Sequence, residues 1–361
     1  MRDMRVLCAM SGGVDSSVAA SLLVEAGHDV TGVFLRLGNA PGAPETSHRA
    51  CCSVEDSRDA ALVAARLGIP YYALDYEEQF GRVIDYFTDE YNRGRTPNPC
   101  VRCNQWLKFG TLRRAALTLG CDAVATGHYA RIDVDEAGRH RLLRGIDRAK
   151  DQSYFLFLMP RESLPMTLFP VGGLRKDEVR ALARDAGLPV SEKPESQEIC
   201  FVPGGDYRKV VRERTPGAMR SGSFVDLSGR VLGAHEGHQG FTIGQRRGIG
   251  IALGQPAYVL DIDAATGDVT LGDRKGLERS AAELSEVQWM SIDPPPVGAA
   301  MPVEAQIRHR RRTVTGTVTR TGPSTASLSF DEPEEAVTPG QAAVLYSGDV
   351  LLGGGWIDSA R

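Results

Sequence analysis

The chain has only seven cysteines in 361 residues, and none follows Cys200. That number is low and odd for a disulfide scaffold, so a cytoplasmic chain with reactive or metal-binding thiols in one domain is expected. No apolar run approaches the roughly 20 residues of a membrane span. The first ten residues carry charges and lead into a glycine turn, which does not read as a secretory signal. Excess positive charge is also missing: 42 Lys and Arg against 46 Asp and Glu give a net charge of −4. A uniformly basic nucleic-acid binder is excluded, although a locally basic face is not. There is no internal repeat and no long low-complexity tract. What is there is an ordinary globular composition, 42% hydrophobic and 24% charged. At roughly 150 residues per domain it is long enough for two or three domains.

Up to about residue 200, short apolar runs alternate with helical spacing. Strands are expected over 4–9, 29–37, 71–74 and 123–126, helices over 14–26, 54–67 and 109–119, and a loop over 38–50. This order predicts an α/β fold with a doubly wound, mainly parallel sheet covered by helices on both faces. The texture then changes to short β-rich segments at 222–227, 257–262, 268–271, 303–307, 313–319, 326–330 and 342–346. They predict two small β-rich modules, the last a β-barrel. Asp293-Pro294-Pro295-Pro296 reads as a linker. Three units are expected, over 1–205, 206–280 and 281–361.

Ser11-Gly12-Gly13-Val14-Asp15-Ser16-Ser17 lies between the first strand and the first helix. Glycines let the backbone approach a ligand, and the free N–H groups of a helix start favour an anion. Ser16 and Ser17 add hydroxyl donors, and Asp15 is placed to hold Mg²⁺ or to cap the helix. No Gly-Lys-Ser/Thr follows, so this is not a Walker A loop. It resembles the PP-loop of the ATP pyrophosphatases, which share an adenine nucleotide alpha hydrolase-like fold. That resemblance implies cleavage between the α- and β-phosphates of ATP, with the site at the carboxyl ends of the strands.

Thr96-Pro97-Asn98-Pro99-Cys100-Val101-Arg102-Cys103-Asn104 supplies a C-x-x-C pair, and Glu195-Ser196-Gln197-Glu198-Ile199-Cys200 a third thiol. A zinc ribbon needs a second C-x-x-C, and the sequence has none. A thioredoxin-like pair would follow the first strand. Cys8 and Cys121 lie in or beside apolar strands and read as core residues, and the adjacent Cys51 and Cys52 as structural. Arg95, Arg102 and Lys108 are close in sequence to Cys103, and a positive surrounding would favour its thiolate.

The motifs together resemble the bacterial tRNA-specific 2-thiouridylases over nearly the whole chain. They run SGGVDSSV at 11–18, CCSVEDSRDA at 51–60, TPNPCVRCN at 96–104, TGHYAR at 126–131, KDQSYFL at 150–156, SQEICFV at 196–202 and FTIGQRRGIG at 241–250. The resemblance implies ATP-dependent 2-thiolation of the tRNA wobble uridine by adenylation of the uracil C2 oxygen. It implies ATP contacts at Ala9, Met10, Ser11, Gly12, Gly13, Val14, Asp15, Ser16, Leu35 and Gly127, with Mg²⁺ near Asp15. A sulfur donor, either a relay protein or a cysteine desulfurase, would load a persulfide on Cys200. Cys103 would act as nucleophile, leaving a transient Cys103–Cys200 disulfide. Cysteine at 100, where some members carry an acidic residue, opens an alternative in which Cys100, Cys103 and Cys200 hold a [4Fe–4S] cluster. tRNA contacts are implied at Asn98, Cys100, His128, Lys150, Asp151, Gln152, His309, Arg310 and Gln341, with Arg246 and Arg247 as further backbone contacts. A PP-loop synthetase acting on a small molecule and a non-enzymatic RNA-binding scaffold are the competing readings.

Overall fold

In the computed structural model, residues 3–38, 54–195, 199–251 and 256–361 are described. Alternation along the first strand builds the central layer. β1 (Arg5–Ala9) points Val6 and Cys8 into one apolar cluster and Leu7 into another, as side chains on a strand must. Burial of Cys8 pushes its thiol up to about 12, so it packs as a small hydrophobe. α1 (Val14–Glu25), β2 (Asp29–Arg36), α2 (Val54–Leu67), β3 (Tyr71–Asp75) and α3 (Glu77–Asn92) follow. Next α4 (Pro99–Cys103), a π-helical segment Asn104–Thr111 and α5 (Leu112–Thr118) run on as one helical stretch into β4 (Ala123–Thr126). The helix expected over 109–119 therefore starts ten residues earlier. Pro99 opens it because proline fits the first helical position.

A hairpin of β5 (Ala130–Val134) and β6 (His140–Arg144) comes next, then β7 (Thr167–Leu168) and α6 (Lys176–Asp185). The parallel sheet has the order β3-β2-β1-β4-β7. α1, α2 and α6 cover one face with Val18, Val63 and Val179, and α5 covers the other with Leu112 and Ala116. The chain runs outward in opposite directions from β1 and β4, which leaves a crevice at their carboxyl ends.

The second unit holds α7 (Tyr207–Arg214) and four strands, β8 (Gly222–Val225), β9 (Val231–His235), β10 (Tyr258–Ile262) and β11 (Val269–Gly272), in the order β10-β11-β8-β9. The last holds β12 (Glu278–Trp289), β13 (Ala300–Gln306), β14 (Val314–Arg320), β15 (Ala326–Glu335), β16 (Ala342–Ser347) and β17 (Val350–Ala360). β12 pairs with both β15 and β17, which closes the barrel. Asp293–Pro296 is not a linker: it joins β12 to β13 inside the barrel, and the Pro295 carbonyl accepts from Arg320 at 2.8 Å. β6 extends the barrel's sheet by pairing with β17, Leu143 against Val350. Leu142, Tyr154 and Phe157 share one apolar cluster with Tyr346, Leu351 and Trp356 of the barrel. The first unit and the barrel are thus welded by a common core. Among the described residues no helix is long and apolar enough to cross a membrane.

Candidate active site

The loop after β1 is shaped by its glycines. Gly12 has φ +73°, and a Cβ there would meet the Asp56 carbonyl oxygen at 2.2 Å, so no larger residue fits. Gly13 caps α1 without a side chain. The first-turn N–H groups of α1 lack intrahelical partners and lie at the positive end of its dipole, a place suited to phosphate. The serine hydroxyls are not the loose donors read from the sequence. Ser16 and Ser17 donate to the Gly13 carbonyl at 3.1 and 2.9 Å, and Ser16 Oγ accepts the Ser11 N–H at 3.1 Å. They brace the loop from within. Ala9 is half-buried at the end of β1, and Met10 is buried, its N–H donating to the Val33 carbonyl at 2.8 Å. Gly127 serves packing: a Cβ at this position would lie 2.5 Å from Ser16 N, so glycine lets the exit of β4 press against the start of α1. Leu35 is half-buried near the carboxyl end of β2.

A chain of charges that the sequence reading does not contain runs from this loop. Both oxygens of Asp15 accept from the Lys176 ammonium, at 2.6 and 2.8 Å, and Oδ1 also accepts the Tyr129 hydroxyl at 2.7 Å. Lys176 continues to Glu195 at 3.1 Å, and Glu195 to Lys150 at 2.7 Å. Burial raises the Glu195 carboxyl, but hydrogen bonds from Lys150 and Lys176 outweigh it and hold it below its ordinary value. Burial and the Asp15 charge push the Tyr129 phenol far up, so it stays a donor. Behind the loop, Lys193 binds the Gly12 carbonyl at 3.0 Å and Asp56 at 2.6 Å. Burial lowers its ammonium, yet the bonds to Asp56 and Asp59 raise it on balance. Lys176 is buried as the first residue of α6, where the helix dipole disfavours a cation; that misplacement is the local hint of its role.

The loop network also reaches the 150–152 segment. Lys150, its side chain 33% exposed, pairs with Glu195 at 2.7 Å. Asp151 is buried under Arg144 at 3.1 Å and accepts the Gly145 and Ser153 N–H groups. Gln152 Oε1 accepts the Tyr129 N–H at 3.1 Å.

The structure brings Cys103 and Cys200 to one apolar cluster. Both border it together with Leu35, Leu74 and Trp106, and Leu35 and Leu74 come from the carboxyl ends of β2 and β3. Phe201 fixes the position of Cys200 by packing edge-on against Phe80 and Phe87 of α3, ring centroids 5.6 and 5.0 Å apart. Cys100 is exposed on α4. The cations close to these thiols in sequence have carboxylate or imidazole partners of their own. Arg95 pairs with Glu90 and Asp358, Arg102 with Glu286, and Lys108 Nζ lies 3.4 Å from His128 Nε2. Among the described residues, which include Cys100, Cys103 and Cys200, no three His, Cys, Asp or Glu side chains group so as to hold a metal ion. The three-thiolate set for a [4Fe–4S] cluster is therefore not assembled among the described residues. Cys51 and Cys52 lie outside the described residues.

Several residues expected at RNA are turned inward. His128 is buried with Nδ1 2.6 Å from Thr126 Oγ1. Desolvation and the Lys108 charge push its imidazole well below the ordinary value, so it is neutral. Asn98 is buried against the Tyr154 hydroxyl. Gln341 is buried and its amide donates to the Thr96 and Pro97 carbonyls at 2.9 and 3.2 Å, clamping the approach to α4 onto the barrel. Others stay outward. Arg310 is exposed at φ +62°, and half-buried His309 lies 4.4 Å from the Phe155 ring. Both line a cavity of about 610 Å³ together with Arg144, Arg148, Arg311 and Arg312. Arg246 and Arg247 are exposed in the second unit.

Residues 4–204 match a family model described as a tRNA methyl transferase HUP domain. Residues 209–273 match a tRNA methyl transferase PRC-barrel domain, and 279–357 an aminomethyltransferase beta-barrel domain. The chain is 49% identical over 360 residues to the tRNA-specific 2-thiouridylase MnmA of Geotalea uraniireducens, covering 99% of this chain and 95% of that protein. It is 47% identical to the protein of the same name from Carboxydothermus hydrogenoformans, covering 98% and 97%. The one from Acidithiobacillus ferrooxidans is 48% identical with both chains covered completely. Full-length similarity at this level, with the family-model match over residues 4–204, shows that the chain belongs to the tRNA-specific 2-thiouridylase family.

Proposed function

We propose that the chain is a tRNA-uridine 2-sulfurtransferase that uses ATP to replace the C2 oxygen of the wobble uridine with sulfur. The observation that carries this reading is the convergence of the phosphate loop, Cys103 and Cys200 on the carboxyl edge of one parallel sheet. The two thiols favour sulfur transfer over the methyl transfer named in the family-model descriptions.

An amide-like oxygen is a poor leaving group, so it is first adenylated. The uracil O2 attacks the α-phosphorus of ATP, and the bond to the β-phosphate breaks to release pyrophosphate. The α1 N-terminus and the loop N–H groups take the phosphate charge. Lys176 and Lys150 add cations beside it. Mg²⁺ binds largely through substrate phosphates and waters and needs one hard carboxylate from the protein; at Asp15, Oδ1 is filled by Lys176 and Tyr129, and Oδ2, with the single Lys176 contact, keeps the lone pair that would hold it. Bound there, it would neutralise charge on the departing pyrophosphate.

Sulfur then reaches C2 from a persulfide on Cys200, and AMP leaves with the former uracil oxygen. The Cys103 thiolate attacks the Cys200 sulfur, either to release hydrosulfide that adds to C2 or to free sulfur already bonded there. Both routes leave a Cys103–Cys200 disulfide, which an external thiol reduces. The donor that loads Cys200 is a protein persulfide. The anticodon arm lies against Arg310 and His309, with Cys100 at the mouth of the site, and the target base flips out of its stack to reach the sheet edge. Cys103→Ser tests the assignment: thiolation is abolished while tRNA binding is kept. Retained thiolation would contradict it.

A further inference from the structure

Arg102 stands between the two cysteines of the C-x-x-C pair, and its guanidinium reaches across to the barrel. Successive helical residues point about 100° apart, so Arg102 leaves α4 on a different face from Cys103. Its guanidinium donates to both Glu286 oxygens at 2.8 and 2.6 Å and to Gln105 Oε1 at 2.9 Å. It also lies 5.0, 5.2 and 4.8 Å from the ring centres of Tyr86, Trp106 and Trp356. This is a fork-to-carboxylate contact inside an aromatic cage, a geometry that fixes orientation as well as distance.

The partner is built with equal care. Glu286 sits in a bulge of β12, where the register with β17 shifts between Ser285 and Gln288. Its backbone is held at φ +47°, a region costly for a residue with a side chain. A bulge of this kind re-aims a side chain, and here it aims a barrel carboxylate at the helix of the reactive thiol. The approach to α4 is tied to the same barrel. Thr96 N–H donates to the Pro339 carbonyl at 2.9 Å, and Arg95 donates to Asp358 at 3.1 Å. The entry and one face of α4 are thus held by the barrel, while Cys103 borders the cluster at the sheet edge.

We infer that Arg102 and Glu286 are positioning residues for sulfur transfer: through them the barrel sets the rotation of α4 that presents Cys103. The inference rests on the role given to Cys103 above. Neither residue touches the reacting atoms, so adenylation and tRNA binding do not depend on the pair.

The Glu286 side chain is 53% exposed, so its replacement opens no cavity, but Glu286→Ala leaves the Arg102 guanidinium, 9% exposed, with Gln105 as its remaining acceptor, so each variant is also melted to confirm that it is folded. Glu286→Ala, Glu286→Gln and Arg102→Lys are compared with the wild-type chain in three assays: single-turnover thiolation, tRNA-dependent pyrophosphate release and tRNA affinity. Glu286→Ala lowers thiolation roughly 10- to 100-fold and leaves the other two within about twofold, the scale of a misplaced reacting group. Glu286→Gln recovers part of the rate because it keeps an acceptor for the guanidinium. Arg102→Lys does not, because a point charge cannot replace the fork. Thiolation unchanged in Glu286→Ala, or all three readouts lowered together, overturns the inference. Cys103→Ser run in parallel separates the two levels. If that variant is inactive while Glu286→Ala is normal, the positioning role alone fails; if it thiolates, the Cys103 assignment fails and this inference with it.

Discussion

Replacing Lys176 with methionine removes the ammonium that joins Asp15 to Glu195 while keeping most of the side-chain volume. Three carboxylate oxygens lie 2.6, 2.8 and 3.1 Å from it. At an effective dielectric near 20, one such contact is worth about 6 kcal/mol of Coulomb attraction. The Asp15 and Glu195 side chains are 31% and 28% exposed against 11% for Lys176, so solvent and desolvation cut the net contribution to roughly 1–3 kcal/mol. Folding therefore survives, with the melting temperature down by roughly a few degrees. In the proposed mechanism catalysis loses more, because the same cation would face charge that develops on the transferring phosphate. Loss of one preorganised donor of this kind costs about 10²- to 10³-fold. The assay is pyrophosphate release at saturating tRNA, with a thermal melt on the same protein. Lys176→Arg stays impaired, since a planar guanidinium does not fit a site built for a compact ammonium. Release within about threefold of wild type, alongside a lowered melting temperature, would show that the lysine only braces the fold.

Two further tests separate roles that the sequence alone runs together. Gln341→Ala removes the amide that clamps Thr96 and Pro97, so stability falls by roughly 1–2 kcal/mol in denaturant titration while tRNA affinity is unchanged; an affinity loss with intact stability would return Gln341 to the RNA surface. The Glu195 carboxyl is held below its ordinary value, so its contacts contribute fully above that value and are lost as pH falls through the lowered one. Acid melts below the usual glutamate range therefore cost the wild-type chain more stability than Glu195→Gln, and parallel acid curves for the two would refute the coupling.

What was legible in the sequence was what is local in the chain. The phosphate loop is contiguous, and the left-handed turn at Gly12 and the helix start at Val14 can be read from neighbouring residues. The period of α3 is there too, in Phe80, Val83, Ile84, Phe87 and Tyr91, but interspersed charges hide it from a scan for apolar runs. The Asp15–Lys176–Glu195 chain is not readable at all. It depends on α6 packing beside α1, which only the sheet order sets. The same limit explains the inward turn of His128, Asp151 and Gln341. Each lies in a motif that suggests a ligand, and each is claimed by partners that folding supplies: Thr126 and Lys108, Arg144, and the Thr96 and Pro97 carbonyls. Asp293–Pro296 reads as a linker because proline runs often separate domains, but the barrel uses them as a connection between two strands.

Isotope transfer tests the central claim most directly. A tRNA carrying ¹⁸O at C2 of the wobble uridine is incubated with the enzyme, ATP and a persulfide donor, and the products are weighed by mass spectrometry. Adenylation of the uracil oxygen followed by sulfur attack at C2 yields one AMP per 2-thiouridine, with a single ¹⁸O in the AMP phosphate. Unlabelled AMP, or thiolation without AMP formation, would contradict it.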